Sequence, residues 1–128
     1  MAKNIKVRTT INSSTAISTD SLASSLNGTI GIANPVVQSA EVTLAHTPAA
    51  AVELVASGRT QSTYMYIQNT DTANYISVRT KSASLEFMRL KAGEHAWFTL
   101  APSIGCEIIN SATATTTTKV IYGTFDEA

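Results

Sequence analysis

The sequence predicts an all-β protein: an antiparallel β-sandwich or jelly roll carrying an extended N-terminal arm. Three observations predict it. Strand-length segments alternating apolar and polar residues recur from Gln38 onward. Turn residues separate them at short, regular intervals, the rhythm of sandwiches and jelly rolls. No amphipathic helical pattern of roughly 10–15 residues divides one strand from the next, which disfavours a parallel α/β sheet.

In residues 1–37 apolar positions are sparse among Ser, Thr and Asn. Ile5, Val7, Thr9 and Ile11 alternate with Lys6, Arg8 and Thr10, a half-buried strand pattern that Asn12-Ser13-Ser14-Thr15 breaks. Asn27-Gly28 signals a turn, Thr29–Ile32 a short strand weakened by Gly31, and Asn34-Pro35 an end to the segment. Ordering a residue costs about 1–2 kcal/mol of backbone entropy. So few apolar anchors do not offset that, and the expectation is an arm that needs a partner surface.

Residues 38–128 are expected to form the β-sandwich domain. Val42 and Leu44 alternate with Glu41 and Thr43. Val52–Ala56 reads as a short strand, with a helix as the open alternative. Thr47 can cap such a helix, Pro48 fits its first turn and Gly58 can stop it, but about ten residues make a marginal helix. Strands are predicted over Tyr64–Asn69, Tyr75–Thr80, Leu85–Leu90, Ala96–Leu100, Gly105–Asn110 and Thr116–Phe125. Loops fall at Thr70–Asn74 and Lys91–Glu94, and Pro102 is a stop. The Thr115–Thr118 run is β-branched and polar, suited to a strand with one wet or covered face.

At 128 residues the chain fits one domain with a short appendage. Its hydrophobic content, 44%, suits a globular core, while 14% charged residues is low. Ser and Thr fill the difference, at about a quarter of the chain. Hydroxyls keep a β surface soluble and are far cheaper to cover than charges. The single cysteine, Cys106, forms no intramolecular disulfide. Net charge is zero, so no global basic footprint exists. Lys3, Lys6 and Arg8, facing only Asp20 in the first forty residues, lack interleaved aromatics. Nucleic acid is therefore a disfavoured partner. The start has no apolar run behind its positive charges, and no stretch approaches the roughly 20 apolar residues of a membrane span. The chain is expected in cytoplasm or in particles assembled there, with no membrane partner.

A catalytic or metal-dependent function is not expected. Neither His46 nor His95 belongs to a close ligand pair, and Glu94 and His95, neighbours on a strand, point to opposite faces. Cys106 alternates with Ile108 as a small core residue, and no activating base is indicated for it. No G-x-S-x-G elbow, phosphate loop or GxGxxG occurs, and the carboxylates are scattered singly. No cofactor is expected. Asn12-Ser13-Ser14 and Asn27-Gly28-Thr29 match glycosylation sequons, by chance in an arm rich in these residues. Tyr64, Tyr66, Tyr75, Trp97 and Phe98 suggest either a sugar-binding stack or core and sheet-face packing, and packing is the simpler account.

From Pro48 to Gly123 the order of elements resembles a recurrent small jelly-roll module of tailed-bacteriophage virions. The matching elements are Leu54–Arg59, Ile67–Asn69, Tyr75–Val78, Leu90–Glu94, Trp97–Leu100 and Val120–Tyr122, about 60% of the chain. The resemblance implies a virion structural protein, and within that class a capsid decoration (cement) protein stabilising the head shell. A tail, neck or fibre component is the alternative, and a carbohydrate-binding β module is a further one. The implied partners are the major capsid protein or other virion proteins, with self-association, as a trimer or through the particle's symmetry. Ile5, Val7 and Ile11 are the candidate residues for edge addition to a neighbour. Lys3, Lys6 and Arg8 either touch acidic shell surface or simply solvate the terminus.

Overall fold

In the computed structural model the described residues are 3–12 and 23–128, and they contain strands and turns but no helix. The strands are β1 (Lys3–Asn12), β2 (Ala23–Leu44), β3 (Val52–Val55), β4 (Thr63–Asn69), β5 (Ile76–Thr80), β6 (Glu86–Leu90), β7 (His95–Leu100), β8 (Cys106–Asn110) and β9 (Thr118–Glu127). One sheet has the order β1-β2-β9-β4-β7 and the other β3-β8-β5-β6. The recorded ladders are antiparallel, as a β-sandwich requires. The chain divides into two compact units, one running to Ala33 with Ala128 added and the other spanning Asn34–Glu127. The division lies inside β2 and just before Pro35, four residues ahead of the expected 37/38 boundary.

In the larger unit, β4 alternates in burial along its length. Thr63, Met65, Ile67 and Asn69 are buried, Tyr64 and Tyr66 half-buried, and Gln68 exposed. Successive side chains on a strand take opposite faces, so one face of β4 enters the core and the other does not. The core lies between the sheets. Leu44, Met65, Ile67, Leu100 and Val120 come from one side, and Val55, Ile76, Val78, Leu90, Cys106 and Ile108 from the other. Each fully buried aliphatic of this size contributes roughly 1.5–3 kcal/mol. Val52–Val55 is a strand paired with β8 and not a helix, because the Val52↔Ile108 and Val55↔Cys106 pairing places its apolar residues against this core.

Two buried asparagines fasten one end of the sandwich. Asn69 Nδ2 donates to the Asn74 carbonyl at 2.8 Å and the Leu90 carbonyl at 3.1 Å, while its Oδ1 accepts from the Asp71 amide at 3.0 Å. Asn110 Oδ1 accepts from Thr118 Oγ1 at 2.9 Å, and its Nδ2 donates to the Thr116 carbonyl at 3.1 Å. The latter bond explains a departure from the expected strand at Thr116. That carbonyl is held by side-chain amides, Asn74 Nδ2 among them, so the strand begins only at Thr118. The turn at Lys91–Glu94 uses Gly93 at φ 82°, a left-handed conformation glycine adopts without strain.

Thr124, 1% exposed, turns its Oγ1 into this interior with no hydrogen-bond partner among the described residues. A buried unpaired hydroxyl costs about 1–3 kcal/mol relative to a paired one. Thr124→Val keeps the shape and removes the polar atom. It is expected to raise stability by about 1 kcal/mol in urea unfolding, and a loss of stability would show that the hydroxyl is bonded.

The smaller unit departs from a single extended arm. β1 pairs along its whole length with the first part of β2, from Lys3↔Ile32 to Asn12↔Ala23. The Asn27-Gly28 turn is not formed. Asn27 lies opposite Arg8 and Gly28 opposite Val7, in mid-ladder. An Asn-Gly pair makes a tight turn only where no longer pairing competes, and β1 supplies a ten-residue partner here. Asn34-Pro35 likewise lies within the span of β2, so no strand ends there, although the division between the two compact units falls at Ala33/Asn34. The break expected at Asn12-Ser13-Ser14-Thr15 runs into residues 13–22, outside the described residues.

Candidate interaction surface

The β1–β2 ribbon has two chemically distinct faces. Lys3, Ile5, Val7, Thr9 and Ile11 share one face and lie opposite Ile32, Ile30, Gly28, Leu26 and Ser24 in turn. Asn4, Lys6, Arg8 and Thr10 share the other. Ile5 and Val7 are half-buried, Ile32 is buried, and Ile11 and Leu26 are exposed at 47% and 60%. The candidate cations are therefore not one cluster. Lys6 and Arg8 stand together beside a shallow groove of 470 Å³ bordered by Thr29 and Asn27, whereas Lys3 belongs to the aliphatic face. On its other side β1 has no strand among the described residues. A two-stranded ribbon is marginally stable alone, so its aliphatic face gains stability from cover.

In the larger unit the outer faces of the two sheets differ sharply. On β8, β5 and β6 the charges satisfy one another. Buried Glu107 accepts from Arg79 Nη2 at 2.9 Å and Ser84 Oγ at 3.1 Å, with Lys81 Nζ 3.9 Å away. Lys81 also reaches Glu53 at 3.6 Å. Glu86 accepts from Arg89 Nε at 2.8 Å and Ser77 Oγ at 3.2 Å, and the Arg89 guanidinium lies over the Tyr75 ring at 4.3 Å. The Arg89 hydrogen bond holds the Glu86 carboxyl below its ordinary value, and the same contact raises Arg89.

The outer face of β9, β4 and β7 is aromatic instead. Tyr66 lies directly opposite Trp97, and Tyr64 opposite Phe125. The Tyr64 and Trp97 rings are within 4° of parallel with centroids 6.3 Å apart, and Phe125 lies 6.4 Å from both Tyr66 and Trp97. These rings are half-buried. Of the aromatic set read from the sequence, three members thus share this platform. Phe98 takes the opposite face of β7 and packs edge-on against Phe87 at 6.0 Å, and Tyr75 sits under Arg89. Phe125 was missed in the sequence because its partners are distant in the chain.

Between β6 and β7 an apolar groove of 340 Å³ is bordered by Phe87, Met88, Phe98, Leu100 and Ile104. Phe87 and Ile104 are exposed at 43% and 40%, and nearby Leu85 at 64%. β7 is a terminal strand, so its second edge carries no strand among the described residues. Of these groove residues the sequence points only to Phe98, as a member of the aromatic set, because core and rim phenylalanines look alike in an alternating pattern.

The titratable side chains do not assemble. Among the described residues no three of His, Cys, Asp and Glu are close enough to hold a metal ion. His46 Nδ1 lies 2.8 Å from Thr47 Oγ1, and exposed His95 opens β7. Cys106 is fully buried, and burial, then neighbouring Glu107, pushes its thiol from 9.0 up to about 12. The folded chain therefore keeps its proton where an unfolded chain loses it. The Cys106 contribution to stability is complete below about pH 9 and disappears by about pH 12. Between those limits wild type should lose about 1.4 kcal/mol per pH unit relative to Cys106→Ala. Parallel profiles for the two proteins in denaturant titrations would refute this.

Among the described residues, no helix is long and apolar enough to cross a membrane. Comparison with protein-family models and with curated proteins finds no match for this chain.

Proposed function

We propose that this chain is a structural protein of a tailed-bacteriophage virion, a small jelly-roll module acting as a capsid decoration (cement) protein on the head shell. The observation that carries the reading is the inequality of its surfaces. The charges of one sheet are consumed in internal pairs, while the edge strands β1 and β7 and their apolar borders stand ready for contact. A protein working by contact stabilises an assembly through mass action, because it binds the assembled shell and not its dissociated parts. Many copies on a symmetric lattice turn a weak contact into avidity. The major capsid protein would be the partner, its acidic shell surface met by Lys6 and Arg8. The chain would be made in host cytoplasm and reside in the virion.

Purified protein is expected to co-sediment with undecorated heads and raise their thermal disruption temperature. Binding to isolated tails but not heads would replace this reading with a tail or neck component. The near-parallel Tyr64 and Trp97 rings favour a second reading, a carbohydrate-binding module in which sugar faces stack on the platform. A glycan array without hits, or an unchanged signal after Trp97→Ala, would remove that alternative.

A further inference from the structure

The two terminal strands of the five-stranded sheet, β1 and β7, are each paired on one side only among the described residues. We propose that β1 of one copy adds to the open edge of β7 in a second copy, so that the sheet continues from chain to chain. The inference rests on reading the protein as a contact-forming virion component.

Several observations converge on this pairing. Natural edge strands are guarded by lysines, acidic residues or prolines. β6 carries Glu86 and Arg89, β3 carries Glu53, and β1 carries Lys3, Lys6 and Arg8, whose like charges guard it against a second β1 but not against an uncharged strand. β7, His-Ala-Trp-Phe-Thr-Leu, has no such guard. An unguarded edge is a ready template for a further strand. The occupant must match two different sides of β7. On one side is the apolar groove with Phe87, Phe98 and Ile104, and on the other the Trp97–Tyr64 platform. β1 has the corresponding two-faced pattern. Ile5, Val7 and Ile11 suit the groove, and Lys6 and Arg8 suit the negative faces of the Trp97 and Tyr64 rings. Length agrees as well, since ten residues of β1 span the six of β7. Because the joined surfaces differ, the contact is head-to-tail and generates a ring or an open chain of copies.

The test uses the full chain with a photo-reactive benzoylphenylalanine in place of Val7. Isotopically heavy and light preparations are mixed and irradiated. The expected product is a cross-link joining a heavy to a light chain at Phe87, Phe98 or Ile104. Cross-links confined to single chains, or joining copies elsewhere, overturn the proposal. A second measurement is sedimentation of Phe87→Lys/Ile104→Lys, whose sites are already exposed. It should keep the wild-type far-UV spectrum and associate at least about tenfold more weakly. Unchanged association, or a wild type that stays monomeric at high concentration, also overturns it. Head binding without inter-chain cross-links sinks the strand addition and leaves the decoration reading standing. Inter-chain cross-links without head binding do the reverse.

Discussion

Arg79→Met is expected to lower the unfolding free energy by about 3 kcal/mol, near the lower end of what breaking a buried ion pair costs. Glu107 is only 4% exposed, and Arg79 is its nearest cation, at 2.9 Å. Lys81 at 3.9 Å is too distant for a hydrogen bond and is shared with Glu53. Removing the guanidinium therefore leaves a buried carboxylate held mainly by Ser84. The mechanism makes a sharper prediction for the double variant Arg79→Met/Glu107→Leu. An apolar pair of similar volume has no charge to strand, so the double variant should be more stable than Arg79→Met alone. Urea unfolding of the four proteins in the cycle measures the coupling. Additive losses would show that the two side chains act independently.

Gly105→Ala is expected to cost about 3 kcal/mol, the upper range for overpacking. A Cβ at this position would meet Lys81 Cβ at 2.7 Å, the Ser57 amide nitrogen at 2.8 Å and the Val55 carbonyl oxygen at 2.9 Å. Two of the three are backbone atoms and have no rotamer through which to retreat. Gly105 also accepts the Lys81 amide at its carbonyl, 3.0 Å away, and precedes β8. Displacement there would disturb both the β3–β8 and β5–β8 ladders. Gly28→Ala is the control, since a Cβ there meets nothing within 4 Å. Equal thermal shifts for the two variants would contradict the close-approach argument.

Sequence alternation determined most of the sandwich. From Val52 to Phe125 the period-two pattern decided which side chains enter the core, because a strand has only two faces and one is buried. Cys106 and Ile108 were placed by this rule, and both are fully buried. The pattern also separated Ile5, Val7 and Thr9 from Lys6, Arg8 and Thr10, a division kept in the ribbon.

Tertiary structure decided what depends on partners far away in the chain. Asn27-Gly28 has the chemistry of a turn, yet it is held straight by Arg8 and Val7, a pairing no local window contains. Strand order is likewise non-local. That β1 and β7 terminate one sheet follows only from β9 entering between β2 and β4. Alternation assigns a residue to a face, but whether that face meets a sheet, a groove or solvent is set by long-range hydrogen bonding. For that reason the aromatic platform and the unguarded edge of β7 became visible only once the strands were assembled.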